Sequence, residues 1–483
     1  MSGLVHIKNK ITNWLQRRNV SAVFALIFIL GVVIRLGILI EKGPAHGTGY
    51  DDFAYFNSGL HLFETGEITI RGSLTAQITP GMPVIIAAFI MIFGTGTGAW
   101  LALKLFWITL AMLGVLLLYR TVRLFAADFF ACLSAAFLSL GIDFCYLDNS
   151  LMTETPFMFC FIAIIYCTIK LGYNHQSLRY FFCLFIAFFA ALTLRPVIAF
   201  LPVVIIGYLI IKKYPWRRLA MQTGAAAAVI IIIFILPWSI RNYRLFGEFI
   251  PLSYGSGNPV LQGTYQGYGF PEDSDLDIQG DVYEKLSPQF KQELEGRGNP
   301  HMTKYRSMQV DGIVAKYRME QWLKTNPVSM LVSYIIIKPS KMLFSSFDPN
   351  AWFVGGRPMR INNVLRGLDF SLMLIGIFGM LKRRKHRKEM GFILLIYVIW
   401  LGINSYALAM ARYAQAAYFL RFILLGWGLY QFWLWIQPRL LPPALRATSL
   451  EEGGKISPPP RGGCHEVTGG ATKRLQILDF TWY

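Results

Sequence analysis

The sequence predicts an all-α polytopic membrane protein with about ten transmembrane helices, juxtamembrane helices on the outer surface and one large extracytoplasmic loop. Apolar residues make up 54% of the 483 residues, and charged residues only 15%. The mean hydropathy is +0.45, and several stretches exceed the ~20 apolar residues that cross a ~30 Å hydrocarbon core. Lysines and arginines concentrate in short runs beside apolar segments, a pattern that orients helices in a bilayer. The net charge of +19 is therefore interpreted as membrane anchoring, and nucleic acid is not an expected partner.

The basic runs determine the predicted threading. The positive-inside rule places them in the cytoplasm, so the number of crossings between successive runs is even. The runs are 8–18, 120–123, 212–218 and 382–388. Ten spans satisfy this condition: 20–40, 99–119, 124–142, 151–169, 180–194, 196–211, 219–238, 363–381, 390–409 and 415–436.

Two apolar segments are predicted not to cross. The segment 80–94 rises only ~20 Å and begins with prolines, so it is too short to span the bilayer. The segment 329–345 contains Lys338, Pro339 and Lys341, and parity allows only one crossing in this region. Both are interpreted as helices on the outer surface.

Four regions follow from this threading. An N-terminal membrane module, 1–238, contains the first outer loop, 41–98. An extracytoplasmic loop and juxtamembrane helix occupy 239–345, and C-terminal membrane helices occupy 346–436. The tail, 437–483, contains SPPPRGG and little apolar sequence, so it is predicted to be disordered and cytoplasmic. The six cysteines form no CxxC pair, which indicates neither a disulfide framework nor a zinc site.

Two adjacent carboxylates, Asp51 and Asp52, lie in the first outer loop, in the stretch GYDDFAYFNSG at 49–59. One interpretation is the N-terminal cap of a short helix, where aspartate is favoured. The other is catalysis, because two neighbouring carboxylates raise each other's proton affinity and partial burial acts in the same direction. A carboxylate in that setting can serve as a general base.

Asp148, in LDNSLMTETP, lies between two predicted spans on the same outer face. It could cap the helix that follows. If instead it approaches the first outer loop, Asp51 and Asp148 could hold one divalent metal ion through oxygen ligands. The sequence leaves both interpretations open.

Three arginines, Arg195, Arg241 and Arg412, are predicted at outer ends of spans. Each could extend toward lipid headgroups. A guanidinium also presents a planar fork to phosphate, and three arginines opposite acidic loops favour a phosphate-bearing lipid substrate. Glu154 and Asn242 are predicted on the same face, without an assigned role.

An ordered set of motifs resembles the GT-C superfamily of integral-membrane glycosyltransferases, in the branch of dolichyl-phosphate-mannose-protein mannosyltransferases and aminoarabinose transferases. The set comprises the Asp pair before YF, TPGMP, LDNSLMTETPFMF, LTLRP, PWSIRNYRLFGEFIPLS, GNPVLQG and a late ARY. The resemblance covers about residues 15–436. It implies sugar transfer from a polyprenyl phosphate to an acceptor hydroxyl on the extracytoplasmic face, with inversion at the anomeric carbon.

The resemblance also implies roles for individual residues. Asp51 matches the catalytic acid of the first loop and Asp52 its acidic neighbour, while Asp148 matches a second acidic position. Arg241 and Arg412 match basic positions near the lipid phosphate. One departure precedes TPGMP, where aminoarabinose transferases carry a charged pair and this chain has isoleucine and threonine.

The predicted enzyme is therefore a multi-pass protein of the plasma membrane that transfers a hexose or pentose from a polyprenyl-phosphate donor. The acceptor could be a glycan, a lipid or a protein, and a divalent metal ion is the one cofactor considered. Two other classes stay open: a transporter or flippase of lipid-linked saccharide, and an envelope polysaccharide polymerase or ligase. A transporter would place ionisable residues near mid-membrane and often show internal repeats.

Overall fold

The computed structural model describes residues 17–47, 51–297, 299, 301–345, 357–382 and 386–436. The predicted disorder of 437–483 lies outside the described residues.

Nearly all regular structure in the described part is helical, which confirms the all-α polytopic class. The helices of the first half follow the predicted spans closely. They are α1 (Arg17–Lys42), α2 (Asp51–Thr65), α3 (Gly81–Phe93), α4 (Thr97–Val122), α5 (Asp128–Leu140), α6 (Ile142–Leu147), α7 (Glu154–Tyr173), α8 (Leu178–Leu194) and α9 (Leu201–Ile211), which a 3₁₀ turn (Pro196–Phe200) precedes.

The second half contains longer and shorter helices in alternation, with π turns and one further 3₁₀ turn between them. They are α10 (Trp216–Ile230), a π turn (Ile231–Ile235), α11 (Leu236–Phe246), α12 (Gly257–Gly263), a 3₁₀ turn (Asp273–Asp275), a π turn (Gln279–Tyr283), α13 (Pro288–Leu294), α14 (Met302–Thr325), α15 (Pro327–Val332), a π turn (Ser333–Ile337), α16 (Lys338–Phe344), α17 (Arg357–Lys382), α18 (Arg387–Tyr406), α19 (Ala411–Gln415) and α20 (Tyr418–Ile436).

Six helical segments of the described residues are long and apolar enough to cross a membrane. They are Val20–Lys42, Thr97–Val122, Glu154–Tyr173, Trp216–Phe246, Arg387–Tyr406 and Tyr418–Ile436. Shorter apolar helices occupy Gly81–Phe93, Asp128–Leu140, Leu178–Leu194 and Pro196–Ile211. The count of ten crossings stays a prediction, since it depends on the shorter helices and on α17.

One helix is longer than its sequence suggested. The span predicted at 219–238 continues without a break to Phe246, where Gly247 ends it in the left-handed conformation (φ 66°), as glycine commonly does after a helix. The motif PWSIRNY therefore lies on the last turns of a helix rather than at the start of a loop.

Aromatic packing around α7 fixes the part of the bundle that carries the polar residues. The Trp400 ring centroid lies 5.6 Å from those of both Phe157 and Phe161, and Phe161 contacts Phe419 edge-on at 5.1 Å. The indole of Trp107 donates to the backbone oxygen of Met152 at 2.8 Å. These contacts hold α7 against α18 and α20, and the segment before α7 against α4.

The described residues contain one two-stranded sheet, a hairpin of β1 (Thr69–Ile70) and β2 (Ser73–Leu74). Its two-residue turn has positive φ at both positions, Arg71 (50°) and Gly72 (82°), the geometry that matches strand twist in tight hairpins. The guanidinium of Arg71 is thereby presented at the tip of the hairpin.

Candidate active site

Asp51 and Asp52 occupy the first turn of α2, where acidic side chains are favoured by the helix dipole. Consecutive positions on a helix point in different directions, and the two carboxylates have different surroundings. Asp51 faces Arg412, whereas Asp52 is fully buried, lies against Gly47 and is within electrostatic range of Lys104. The structure thus separates the environments of the predicted pair.

A continuous chain of opposite charges starts at Asp51. Its Oδ2 accepts a hydrogen bond from Arg412 Nη1 at 2.8 Å. Arg412 Nε lies 2.9 Å from Glu154 Oε1, and the same oxygen lies 3.2 Å from Arg195 Nη1. Three of the residues predicted from sequence, Asp51, Arg195 and Arg412, therefore meet in space, and Glu154 joins the two arginines.

The side chains of the cluster are largely shielded from water. The side-chain exposure is 31% for Asp51, 16% for Arg412, 15% for Arg195 and 1% for Glu154. Burial disfavours the charge of Arg412, but the adjacent Glu154 and Asp51 outweigh burial and raise the pKa of Arg412. Of the two carboxylates, Asp51 is the more exposed, and Glu154 is closed to solvent.

Several polar atoms of this cluster are buried without a hydrogen bond: Glu154 Oε1, Arg195 Nη1 and Arg412 Nε. Each of the two arginine nitrogens lies at ion-pair distance from Glu154 Oε1, but neither makes a hydrogen bond to it. Buried polar groups are nearly always satisfied in folded proteins. Unsatisfied donors on two neighbouring guanidiniums suit an anionic ligand.

Aromatic side chains border the arginines. The Arg195 guanidinium lies 5.3 Å from the ring centroid of Tyr413 and 5.8 Å from that of Phe157, distances that allow cation–π attraction. Burial, together with the Asp51 charge, raises the pKa of Tyr55. The Tyr55 hydroxyl therefore stays protonated beside the cluster.

Arg71 approaches the other oxygen of Asp51. Its Nη2 lies 3.6 Å from Asp51 Oδ1, and its side chain is 70% exposed. The sequence analysis did not single out Arg71, because a lone arginine in a polar loop has no distinguishing pattern. The RG dipeptide at a tight turn was the signal that it would sit at the tip of a hairpin.

The Arg241 guanidinium binds oxygens of the protein itself. Its Nη1 donates to the Thr75 carbonyl at 2.5 Å and to Asn242 Oδ1 at 2.9 Å, and its Nη2 donates to the Ile68 carbonyl at 3.1 Å. The guanidinium thus bridges the two ends of the hairpin. These contacts engage both terminal nitrogens with the protein's own oxygens.

Residues near Arg241 make further hydrogen bonds to backbone carbonyls of this region. The Trp238 indole donates to the Leu252 carbonyl at 2.7 Å, and the Asn242 amide donates to the Ile250 carbonyl at 2.8 Å. The Tyr254 backbone N–H donates to the Ala76 carbonyl at 3.0 Å. The PWSIRNY helix end therefore fixes both the hairpin and the chain at 250–254.

Asp148 pairs with a residue to which the sequence analysis gave no role. Its Oδ2 accepts from Arg35 Nε at 2.9 Å and its Oδ1 from the Thr155 hydroxyl at 2.7 Å. Arg35 also donates to backbone carbonyls of Gly31 and Ser139, at 3.0 and 2.6 Å. Both members of the pair are fully buried.

These partners do not fit the metal site considered for Asp51 and Asp148. Both oxygens of Asp148 are used by Arg35 and Thr155, and Asp51 pairs with arginines. Among the described residues no group of three histidine, cysteine or acidic side chains could hold a metal ion. We therefore derive no step through a metal.

The solved structures similar to this chain include those of two membrane proteins. The crystal structure of ArnT from Cupriavidus metallidurans bound to undecaprenyl phosphate is 16% identical over 87% of this chain and 81% of that chain, with a TM-score of 0.38. The archaeal oligosaccharyltransferase AglB from Archaeoglobus fulgidus, in complex with an inhibitory peptide and a dolichol-phosphate, is 13% identical over 90% of this chain, with a TM-score of 0.48. This chain spans about half of AglB, 52% of its length.

Comparison with curated protein sequences found no match. The family model of dolichyl-phosphate-mannose-protein mannosyltransferases matches residues 77–240. The matched segment begins just after the hairpin and ends within the PWSIRNY motif, and so includes Glu154 and Arg195. Over this segment the chain is similar to the dolichyl-phosphate-mannose-protein mannosyltransferases, as the resemblance of its motifs predicted.

Proposed function

We propose that the protein is a membrane glycosyltransferase that moves a sugar from a polyprenyl-phosphate donor to an acceptor hydroxyl on the extracytoplasmic face. One observation carries this proposal: an accessible carboxylate, Asp51, is paired with the partly buried Arg412, which shares Glu154 with a second partly buried arginine, Arg195, and each arginine has a donor without a hydrogen bond. A base for a hydroxyl and a cationic site for a phosphate are the two parts that this transfer needs.

Asp51 acts as the base in this mechanism. Its Oδ2 is held by Arg412, while Oδ1 is left toward the exposed side. The acceptor hydroxyl hydrogen-bonds to the carboxylate and gives it the proton as the acceptor oxygen attacks the anomeric carbon. The bond between that carbon and the phosphate oxygen breaks, and its electron pair goes to the departing polyprenyl phosphate. Attack opposite the leaving group inverts the anomeric carbon.

Arg412 and Arg195 stabilise the charge that grows on the leaving phosphate. Two guanidiniums would repel each other in a half-buried site, and Glu154 between them offsets that repulsion. Preorganised cations aimed at a developing negative charge lower the barrier without rearrangement during the reaction. Because phosphate is already a good leaving group, no further acid is required.

Two earlier assignments change in this proposal. Arg241 is treated as a positioning residue for the hairpin, since its terminal nitrogens are bonded to carbonyls. Asp148 is treated as one half of a buried structural ion pair. Asp52 stays a candidate for tuning the loop, without contact to the reacting groups.

Transport of a lipid-linked saccharide is the second candidate, because the bundle contains buried charges beyond the Asp51 cluster. Besides the Arg35–Asp148 pair, a fully buried network joins helices of the bundle. Its members are Arg366, Asp143, Asp369 and Arg421. Ionisable residues inside a membrane bundle often mark a transport pathway. Here each charge is paired within the protein, which favours a structural role.

Mass spectrometry of envelope glycolipids and glycoproteins from cells that lack this chain tests the proposal. We expect one glycan to lose one sugar, with the corresponding polyprenyl-phosphate sugar accumulating. Purified wild-type protein should restore that sugar to the isolated acceptor. Accumulation of a complete, untransferred lipid-linked saccharide on the cytoplasmic side would instead support transport.

A further inference from the structure

A cleft separates the β1–β2 hairpin from the start of α14. One wall is formed by residues 72–74 of the hairpin, and the other by His301, Thr303, Lys304 and Ser307. Its volume is about 520 Å³. The cleft is distinct from the Arg412–Glu154–Arg195 cluster, and the mechanism above does not use it.

The walls of the cleft combine apolar surface with several polar groups, and their one charged side chain is a lysine. They contribute an ammonium group from Lys304, an imidazole from His301 and hydroxyls from Ser73, Thr303 and Ser307, and no lining residue is acidic. Arg306, which lies between the lining residues Lys304 and Ser307 in sequence, pairs with two carboxylates, Glu293 at 2.6 Å and Glu248 at 3.3 Å. Ammonium and hydroxyl donors of this kind bind phosphate or carboxylate groups.

The chain itself connects the cleft to the candidate base. Arg71, 3.6 Å from Asp51 Oδ1, directly precedes the lining residues Gly72 and Ser73. Successive Cα atoms are about 3.8 Å apart, so Ser73 lies within about 8 Å of Arg71 measured between Cα atoms. One wall of the cleft and the guanidinium at Asp51 therefore belong to the same hairpin, and an extended glycan acceptor can run from the cleft along this hairpin toward Asp51.

The hairpin wall is held in place by the rest of the protein. Arg241 bonds to carbonyls at both of its ends, and the hydroxyls of Tyr254 and Thr75 are 3.0 Å apart. A wall fixed in this way is preorganised for binding, since little freedom is lost when a ligand enters.

We propose that this cleft receives the acceptor and binds an anionic group on it, a phosphate or a carboxylate, beside the hydroxyl that Asp51 deprotonates. The acceptor is thus an anionic glycan or glycolipid rather than a neutral one. The inference deepens the proposed function and rests on it for the identity of the ligand as acceptor. Anion binding itself can be tested without turnover.

Charged thiol reagents measure the potential of the cleft directly. Ser307→Cys is introduced into the full chain, in lipid nanodiscs, with Cys183 and Cys464 replaced by serine. Modification rates are compared for methanethiosulfonates that carry a sulfonate or a trimethylammonium group. The same ratio is measured for Ser274→Cys, which lies between Asp273 and Asp275.

We expect the sulfonate-to-ammonium rate ratio to be at least fivefold higher at Ser307→Cys than at Ser274→Cys. Adding Lys304→Gln should lower the ratio at Ser307→Cys at least threefold and leave Ser274→Cys unchanged. The proposal would be overturned if the ratio at Ser307→Cys equals that at Ser274→Cys, or if Lys304→Gln leaves the ratio at Ser307→Cys unchanged.

Protection distinguishes an acceptor cleft from a second donor site. Glucose 1-phosphate should slow the modification of Ser307→Cys at least threefold, while glucose and undecaprenyl phosphate should not. Protection by undecaprenyl phosphate would show that the cleft binds the donor. Equal protection by glucose would show that the cleft does not recognise an anionic group. Either result overturns the proposal. These readouts need no sugar transfer, so their failure and the failure of the transferase assignment can be told apart.

Discussion

Glu154 shows how a single residue can organise the candidate site. Its carboxylate is 1% exposed and lies 2.9 Å from Arg412 and 3.2 Å from Arg195. The sequence placed it on the same face as these arginines but suggested no role, because a glutamate at the start of a helix is expected for local reasons alone. Only the packing of α7 against α19 and the chain after α8 reveals that it separates two positive charges.

We predict that Glu154→Gln lowers the rate of sugar transfer by roughly 10- to 100-fold. Loss of the negative charge lets the guanidiniums repel each other, and a displacement of about 1 Å can cost 10²-fold in rate. The measurement is kcat and KM for a polyprenyl-phosphate sugar, with Glu272→Gln as an exposed control that should behave as wild type. Unchanged kinetics in Glu154→Gln would mean that the arginines are positioned by other contacts.

Lys338 gives the protein a pH-dependent stability. It is fully buried, donates to the Gly263 carbonyl at 3.1 Å and lies 3.9 Å from the Tyr334 ring. Burial, with the Lys341 charge adding to it, lowers the pKa of Lys338 to about 7. Between that pH and about 10.4, the ordinary value for lysine, the unfolded chain binds a proton that the folded protein does not.

Folded stability should therefore rise as pH increases from about 7 toward 10 through this group, because stability increases wherever the unfolded state binds more protons. Thermal unfolding of wild type and Lys338→Met in the same detergent measures this contribution. We expect the difference in Tm to favour Lys338→Met most at pH 6 to 7 and to shrink above it. A difference that is constant with pH would show that Lys338 stays charged in the folded protein.

At the scale of secondary-structure elements, the hairpin and the PWSIRNY helix end act together. The helix was predicted to stop at 238, and the structure continues it to Phe246. That extension turns Arg241 toward the hairpin carbonyls. Sequence reasoning could not foresee this, because a guanidinium that binds backbone oxygens and one that binds phosphate have the same local sequence.

Arg241→Ala should loosen the hairpin, and Arg241→Lys should loosen it less, since one ammonium can replace only part of a fork that bonds to two carbonyls. Hydrogen exchange of peptides covering 68–76 reports this local opening. We expect exchange in the order Ala, Lys, wild type, and transfer activity in the reverse order. Equal exchange in all three proteins, with activity lost in the two variants, would indicate instead that Arg241 contacts the donor directly.

At the scale of the whole molecule, much of the architecture follows from apolar segments and basic runs. The helices appear where those patterns place them, and α3 is as short as its sequence suggested. Asp51, Arg195 and Arg412, all at predicted outer ends of spans, also lie in one cluster, and their role there stays a prediction. Pairings across the bundle were not predictable: Arg35 with Asp148, or Arg241 with Ile68 and Thr75, depends on helix rotation, which hydropathy does not specify.

Cysteine labelling tests the orientation that the basic runs predict. An impermeant maleimide added outside intact cells should label Ser73→Cys and Asp275→Cys, both exposed, but should reach Gln176→Cys and Arg217→Cys only after permeabilisation. The host chain carries Cys183→Ser to remove an exposed thiol. Labelling of Arg217→Cys in intact cells would reverse the threading and move the Asp51 cluster to the cytoplasm.

The central claim is that Asp51 takes the proton of the acceptor hydroxyl, and one substitution tests it most directly. Asp51→Asn keeps the size of the side chain and its carbonyl toward Arg412 but cannot accept the proton. Sugar transfer from a polyprenyl-phosphate donor is measured with purified wild type and Asp51→Asn in nanodiscs, at matched amounts and with matched thermal stability. We predict a fall of about 10²-fold or more in kcat, with donor binding retained through Arg412 and Arg195. Transfer by Asp51→Asn at close to the wild-type rate would contradict the account and leave Asp51 as the acidic first turn of α2.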